Sequence, residues 1–228
     1  MARGWDLLER GTHVVAERLL PLHCVGCERE GVWMCEACQN TLLFLPPVWQ
    51  EGLAPVCGVA AVYPYGDSAV REAIHALKYR YGEGIMGWMG EQIAQWADEG
   101  GSDIVPRDAV FVPVPLHYRR YVTRGYNQAE LLAHAFGRAF GVPVAPLLKR
   151  RRATVAQMTQ SRIGRLQNIA GAFVADERAC ARYGALGFPT IVIVDDVTTT
   201  GATLAACARA LTAVGVTRVY GIAFAKEL

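Results

Sequence analysis

A chain of 228 residues, 52% hydrophobic and 19% charged, is long enough for one α/β domain with a small appendage; its composition excludes a disordered or fibrous protein. The formal net charge of +2 is unevenly spread: from Phe111 to Arg165 ten Lys/Arg stand against a single acid, Glu130, and the remainder is net acidic. Such a local cationic surface points to an anionic ligand rather than to general stickiness, the alternative being a solvated basic face.

No apolar stretch reaches the roughly 18 residues of a membrane span. The N-terminal MARGWDLLERGTHVVAERLLPLHC is interrupted by Glu9, Arg10, Glu17 and Arg18. It therefore lacks the h-region of a secretory signal and predicts an amphipathic helix, with a cytoplasmic location expected. Four of the seven cysteines follow in CVGCEREGVWMCEACQ, as the C-x-x-C pairs Cys24/Cys27 and Cys35/Cys38. Each pair forms a knuckle with both thiolates on one side, and two facing knuckles complete a tetrahedral Zn²⁺ site. Gly26 eases the first turn, and the seven-residue spacer permits a tiny hairpin with Glu30–Met34 as its second strand. Disulfides and a redox C-x-x-C are the competing readings, disfavoured by a reducing compartment and by the lack of a surrounding thioredoxin-like βαβ pattern. Four Cys ligands close the coordination shell, so the metal reads as structural. His23 reads as a bystander, and Cys57, Cys180 and Cys207 as small core residues.

LLFLPPVWQEGLAP (42–55) is proline-rich without a helical period, so a linker is expected, dividing residues 1–54 from a domain over 55–228. CGVAAVYPYG (57–66) predicts a strand. DSAVREAIHALKYR predicts a helix capped by Asp67 or Ser68, with Ala69, Ala73, Ile74 and Leu77 on its apolar face; a second helix covers about 84–97. AVFVPVPL (109–116) is a short buried strand that Pro113 and Pro115 bring to an end. Residues 127–140 are helical, with Leu132, Ala135, Phe136, Ala139 and Phe140 on one side. Weak strands at 143–148 and 171–175 flank a basic segment; a strand at 190–195, a helix at 202–214 and a strand at 216–225 follow. Strands alternating with helices predict a mostly parallel sheet with helices on both faces.

In such a sheet ligands sit beyond the carboxyl ends of the strands. IVIVDD delivers Asp195 and Asp196 to that edge, and the following TTTGAT offers glycine, hydroxyls and a helix start, which suit a phosphate. The two acids suit a sugar's vicinal hydroxyls or a metal bound to that sugar. No G-x-x-x-x-G-K-[ST] loop occurs, which disfavours a P-loop NTPase. A receiver domain would carry its acids near the N-terminus, where this chain has cysteines.

IVIVDDVTTTGAT resembles the phosphoribosyl pyrophosphate motif of type I phosphoribosyltransferases. The resemblance implies that Asp195 and Asp196 hold the ribose 2- and 3-hydroxyls, and that Thr199, Thr200, Gly201, Ala202 and Thr203 cradle the 5-phosphate. The cysteine ribbon, YPYG…LKYRYG, VPVPLHYRRYVTRGYNQAELLA and RRRATVAQMTQSRIGRLQNIAGAF extend the likeness over nearly the whole chain to the ComF family. Its members join a short zinc ribbon to a phosphoribosyltransferase-like domain, and some act in DNA uptake during natural transformation.

By the same resemblance, a pyrophosphate loop falls on Pro113–Arg119, including Pro115, and a hood on Lys149–Arg165. Mg²⁺ would bridge pyrophosphate and ribose oxygens. Asp195 and Asp196 would stabilise the oxocarbenium-like centre, while Arg119, Arg120, Arg124 and Arg162 neutralise the leaving group. Asn127 and Gln128 either position a substrate or cap their helix. Tyr118, Tyr121 and Tyr126 interleave with the arginines, which permits base stacking on single-stranded DNA or ordinary core packing, and Lys149–Arg152 close over pyrophosphate or track a nucleic-acid backbone. The implied partners are phosphoribosyl pyrophosphate, single-stranded DNA and competence or DNA-processing proteins.

Overall fold

The computed structural model describes residues 22–79, 82–151, 171–184 and 189–228. The helix expected at the N-terminus, most of the expected hood, and with it Arg152, Arg162 and Arg165, lie outside the described residues. Along the chain come α1 (Glu36–Gln39), β1 (Val59–Pro64), α2 (Ser68–Tyr79), α3 (Gly82–Trp96), β2 (Val110–Pro113), α4 (Tyr118–Arg124) and α5 (Gln128–Phe140). Then follow β3 (Leu148–Arg150), β4 (Phe173–Ala175), α6 (Glu177–Gly184), β5 (Ile191–Thr198), α7 (Ala202–Thr212) and β6 (Val219–Lys226).

The expected parallel sheet is present, with strand order β1-β6-β5-β2 and every neighbouring pair parallel. Its apolar runs are continuous because both faces are covered. Strand alternation sends Val192, Val194, Ile222 and Phe224 into a core shared with α2, α3 and α5. Ile191, Ile193 and Val219 go into a second core with α7 and the antiparallel β3–β4 pair.

Helix starts follow local chemistry. Asp67 Oδ1 accepts from the N–H of Ala69 at 2.8 Å and of Val70 at 3.3 Å, and the apolar face of α2 is buried as its spacing requires. Asn127 caps α5, and Leu132, Ala135 and Phe136 are buried beneath it. Helices α4 and α6 were not anticipated: both are short and polar. In α6 only Cys180 is buried, and its start is fixed by Asp176 Oδ1 accepting from Arg178 and Ala179 at 3.2 and 3.3 Å. The expected strand at 143–148 reduces to a bridge between Phe111 and Val144, with β3 beginning at Leu148.

The N-terminal part is tied down along its length. Between the cysteine pairs the anticipated hairpin shrinks to one antiparallel bridge, His23 with Glu30, plus the N–H of Val25 donated to Trp33 C=O at 2.9 Å. Trp88 Nε1 donates to Gln39 Oε1 at 3.1 Å, and the Trp33 ring lies where a side chain on Gly84 would sit, 2.8 Å from its Cβ position. In the 42–55 stretch, the Leu45 N–H donates to Val62 C=O at 2.8 Å while Leu45 C=O accepts from Trp96 Nε1 at 2.9 Å. Trp49 Nε1 donates to Ile104 C=O at 2.9 Å. Cys57, read as a core residue, is exposed instead; it follows the turn that precedes β1, outside the alternation that buries the strand. Among the described residues no helix is long and apolar enough to cross a membrane.

Candidate ligand site and metal centre

The register explains how the cavity opens. Strand β2 pairs with β5 as far as Pro113 against Val194, and the Val114 N–H still donates to Val194 C=O at 2.9 Å. Beyond that point β2 leaves the sheet, and Pro115 has no N–H with which to continue the ladder. Strand β5 does not end at the acids as expected. It stays paired with β6 through Thr198 opposite Lys226, because β6 is long enough to support it. Asp195 and Asp196 are therefore held on a strand that has lost its other neighbour, and the space beside them is a cavity of about 410 Å³.

Alternation aims the acids at opposite layers. Asp196 meets Lys78 at the end of α2, Nζ to Oδ2 2.9 Å. Asp195 feels Arg150 and Cys207 on the other side. Burial, and then the charge of Asp196, push the Asp195 carboxyl up to about 7, against the pull of the Asp196 N–H, Lys78 and Arg150. Each carboxylate also accepts a backbone N–H from the next residue, Asp196 N to Asp195 Oδ1 at 2.9 Å and Val197 N to Asp196 Oδ1 at 2.7 Å.

Past the acids, Gly201 takes φ +74 and precedes α7 without any side-chain cap. The N–H groups of that first turn carry the positive end of the helix dipole toward the loop. Thr199 and Thr203 line the cavity, while Thr200 turns inward, its Oγ1 accepting from the Ala202 N–H at 3.4 Å. A Cβ on Gly201 would meet only Leu53, at an ordinary 3.7 Å, so Gly201→Ala tests the left-handed conformation alone. It is expected to cost about 1 kcal/mol, read as a melting temperature lower by about 2–4 °C.

Of the residues read from the sequence, Pro115, Arg120, Arg124, Asp195, Asp196, Thr199 and Thr203 share the cavity wall. Thr200, Gly201 and Ala202 form the turn behind it, and Arg119 is exposed on α4 away from it. Asn127, Gln128 and, from the expected Lys149–Arg152 run, Arg150 line the cavity as well, and the structure adds Lys78, Tyr79 and Phe173 to the wall. Arg150 lies over the Phe173 ring at 5.1 Å and Arg124 over Tyr79 at 4.8 Å. Tyr126 does not stack outward, since its hydroxyl donates to Leu77 C=O at 2.5 Å.

The sulfurs of Cys24, Cys27, Cys35 and Cys38 all lie within 4.8 Å of one another, an arrangement that can hold a metal ion such as zinc. The surroundings fit a thiolate cluster. Cys24 Sγ accepts from the N–H of Gly26 at 3.4 Å and of Cys35 at 3.3 Å. Burial opposes ionisation of Cys24, yet the N–H groups of Cys35, Gly26 and Cys27 outweigh it and bring the thiol down to about 6. The neighbouring Cys27 side chain, by contrast, holds Cys38 up to about 12. The bare cluster thus cannot ionise fully, and a cation would displace its remaining protons. Gly26 leaves the room required: a Cβ there would stand 2.8 Å from Cys38 Sγ.

No family model matches the chain. It is 35% identical to Competence protein F of Haemophilus influenzae over 115 residues, 49% of this chain and 48% of that protein. It is 28% identical to Competence protein ComFC of Bacillus subtilis over 151 residues, 66% of this chain and 56% of that one. It is 37% identical to DNA utilization protein YhgH of Escherichia coli over 101 residues, 44% and 41% of the respective chains. The chain spans about half the length of the curated relatives it matches. Among solved structures, the glutamine phosphoribosylpyrophosphate amidotransferase from B. subtilis aligns with TM-score 0.41 and 18% identity, covering 65% of this chain and 30% of that one. The chain is thus similar, over about half of its length, to Competence protein F, Competence protein ComFC and DNA utilization protein YhgH, and it joins a four-cysteine cluster to a parallel sheet.

Proposed function

We propose that the cavity binds phosphoribosyl pyrophosphate with Mg²⁺ and transfers its ribose 5-phosphate to an acceptor nucleophile. The observation that supports this most is the convergence, on one cavity, of Asp195 and Asp196, Thr199 and Thr203 at the start of α7, and the cations Lys78, Arg120 and Arg124. The helix start with Thr199 and Thr203 suits the 5-phosphate, and the acids suit the vicinal hydroxyls, which donate to carboxylates. Arginine forks suit the pyrophosphate. Burial and then the charge of Asp196 hold Asp195 up to about 7, and a cation beside the pair would favour its ionised form; Asp195 and Asp196 are the residues that would hold Mg²⁺, directly or through the ribose hydroxyls. When bound, Mg²⁺ supplies charge neutralisation of the pyrophosphate oxygens.

In the transfer, the bond from the anomeric carbon to pyrophosphate oxygen breaks, and the acceptor's lone pair forms the new bond as the acceptor loses its proton. Arg120 and Arg124 offset the charge growing on the departing group, and the two carboxylates face the cationic character on the sugar. Arg162, outside the described residues, is assigned to the same leaving group by the resemblance alone, and Arg119, which does not line the cavity, is not. Calorimetry with phosphoribosyl pyrophosphate and Mg²⁺, followed by a pyrophosphate-release assay across candidate bases, tests the reading. Heat with turnover supports transfer, heat without turnover supports ligand sensing, and no heat overturns both.

One observation favours a second role. Tyr118 and Tyr121 are 76% and 48% exposed, next to Arg119 and Arg120, so they are not core residues and present rings beside cations. Single-stranded DNA suits that surface, and the relatives' names refer to competence and DNA utilization. Affinity falling steeply with salt, and in Arg119→Ala/Arg120→Ala, is the expected behaviour; indifference to both rejects it. In this reading residues 1–54 form a zinc module with its linker, residues 55–228 form a phosphoribosyltransferase-like domain, and the protein works in the cytoplasm beside DNA-processing partners.

A further inference from the structure

Asn127 and Gln128 stand side by side at the start of α5, and the structure separates their roles. Asn127 is fully engaged: its Oδ1 accepts from the Ala129 N–H at 3.2 Å and its Nδ2 donates to Val114 C=O at 3.0 Å. Gln128 is only 3% exposed, lines the same cavity, and its Nε2 has no hydrogen-bond partner among the described residues. A buried amide donor left unpaired is destabilising, and a methionine would fill the same space without that penalty. The helix does not require it, since the cap is supplied by Asn127. What the position lacks is an acceptor atom, and the cavity is where one would arrive.

The neighbours narrow the identity of that acceptor. Pro115 offers no N–H there, while Arg120 and Arg124 make this part of the wall cationic, so an anionic oxygen is favoured. The start of α7, on the opposite face of the sheet, already provides donors for a monoester, and Asp195 and Asp196 accept rather than donate. We propose that Gln128 Nε2 donates to an oxygen of the ligand's pyrophosphate group, an assignment that rests on the phosphoribosyl pyrophosphate reading above and makes Gln128 the residue distinguishing that ligand from the plain sugar phosphate.

The test titrates wild type, Gln128→Met and Gln128→Glu with Mg²⁺ and phosphoribosyl pyrophosphate, inorganic pyrophosphate or ribose 5-phosphate, and records the ligand-free melt of each. Gln128→Met is expected to lose about 10- to 100-fold in affinity for the two pyrophosphate-bearing probes. Its affinity for ribose 5-phosphate stays unchanged and it melts at or above wild type. Gln128→Glu, the same shape with an anionic acceptor in place of the donor, loses more on the same two probes. Equal loss on all three probes, a lower melt for Gln128→Met, or no loss at all overturns the assignment. Wild-type protein that binds ribose 5-phosphate but neither pyrophosphate probe overturns the parent reading and this assignment with it.

Discussion

Serine at position 35 is expected to strip the metal from the N-terminal module and to lower the stability of the entire chain by about 3 kcal/mol or more, a fall in melting temperature of about 6–12 °C. The size follows from where the cluster sits. Cys24, Met34 and Cys35 belong to the same buried core as α2 and α3, so loosening the knuckles exposes apolar surface well beyond the sulfurs. Chelation should reproduce the loss, whereas Cys57→Ser, at an exposed thiol outside the cluster, should leave both metal content and melt unchanged. Metal stoichiometry and thermal melts of the three samples check this. A metal-free protein that melts as wild type does would refute a structural ion.

Asp195→Asn should separate stability from binding. The Asp195 carboxyl, held up to about 7 by burial and by Asp196, keeps its proton in the folded chain, while in the unfolded chain it releases it near 4. Between those values the folded state binds more protons than the unfolded one, so this group's contribution to stability falls as pH rises. Asparagine removes that dependence. The variant is expected to gain about 1–2 kcal/mol at pH 8, or about 2–8 °C, and nothing at pH 4. Lys78 and Arg150 moderate the effect from either side, and Cys207, its thiol itself pushed up by burial, brings no charge to it. The same variant should lose about 100-fold or more in affinity for phosphoribosyl pyrophosphate with Mg²⁺, and wild-type affinity should climb between pH 6 and 8 as the proton leaves. An Asp195→Asn protein that binds as tightly as wild type removes the acids from the proposed site.

Much of the sheet was legible because its strands are uninterrupted apolar runs: Ile191–Val194 and Val59–Val62 cannot be placed anywhere but inside. The acids and the turn after them were legible through local chemistry. What lay beyond was set by partners distant in the chain. How far β5 continues past Asp195 depends on the length of β6, which no local pattern of β5 contains. Lys78 reads in sequence as one polar position of an amphipathic helix, and only the packing of α2 on the sheet brings it to Asp196. Arg150 reads as part of a basic run, yet the short β3–β4 ladder carries it to the cavity beside Phe173. Gln128 and Asn127 are indistinguishable as a dipeptide; the contrast is visible only once the hydrogen bonds are counted.

The indoles that anchor the first part of the chain have a consequence for how the molecule comes apart. Trp88 and Trp33 clamp the cysteine knuckles, and Trp49 and Trp96 fasten the stretch that leads to β1. Front and rear are therefore buttressed by the same rings, so denaturant should release them together, in a single sigmoid of intrinsic emission rather than in successive steps.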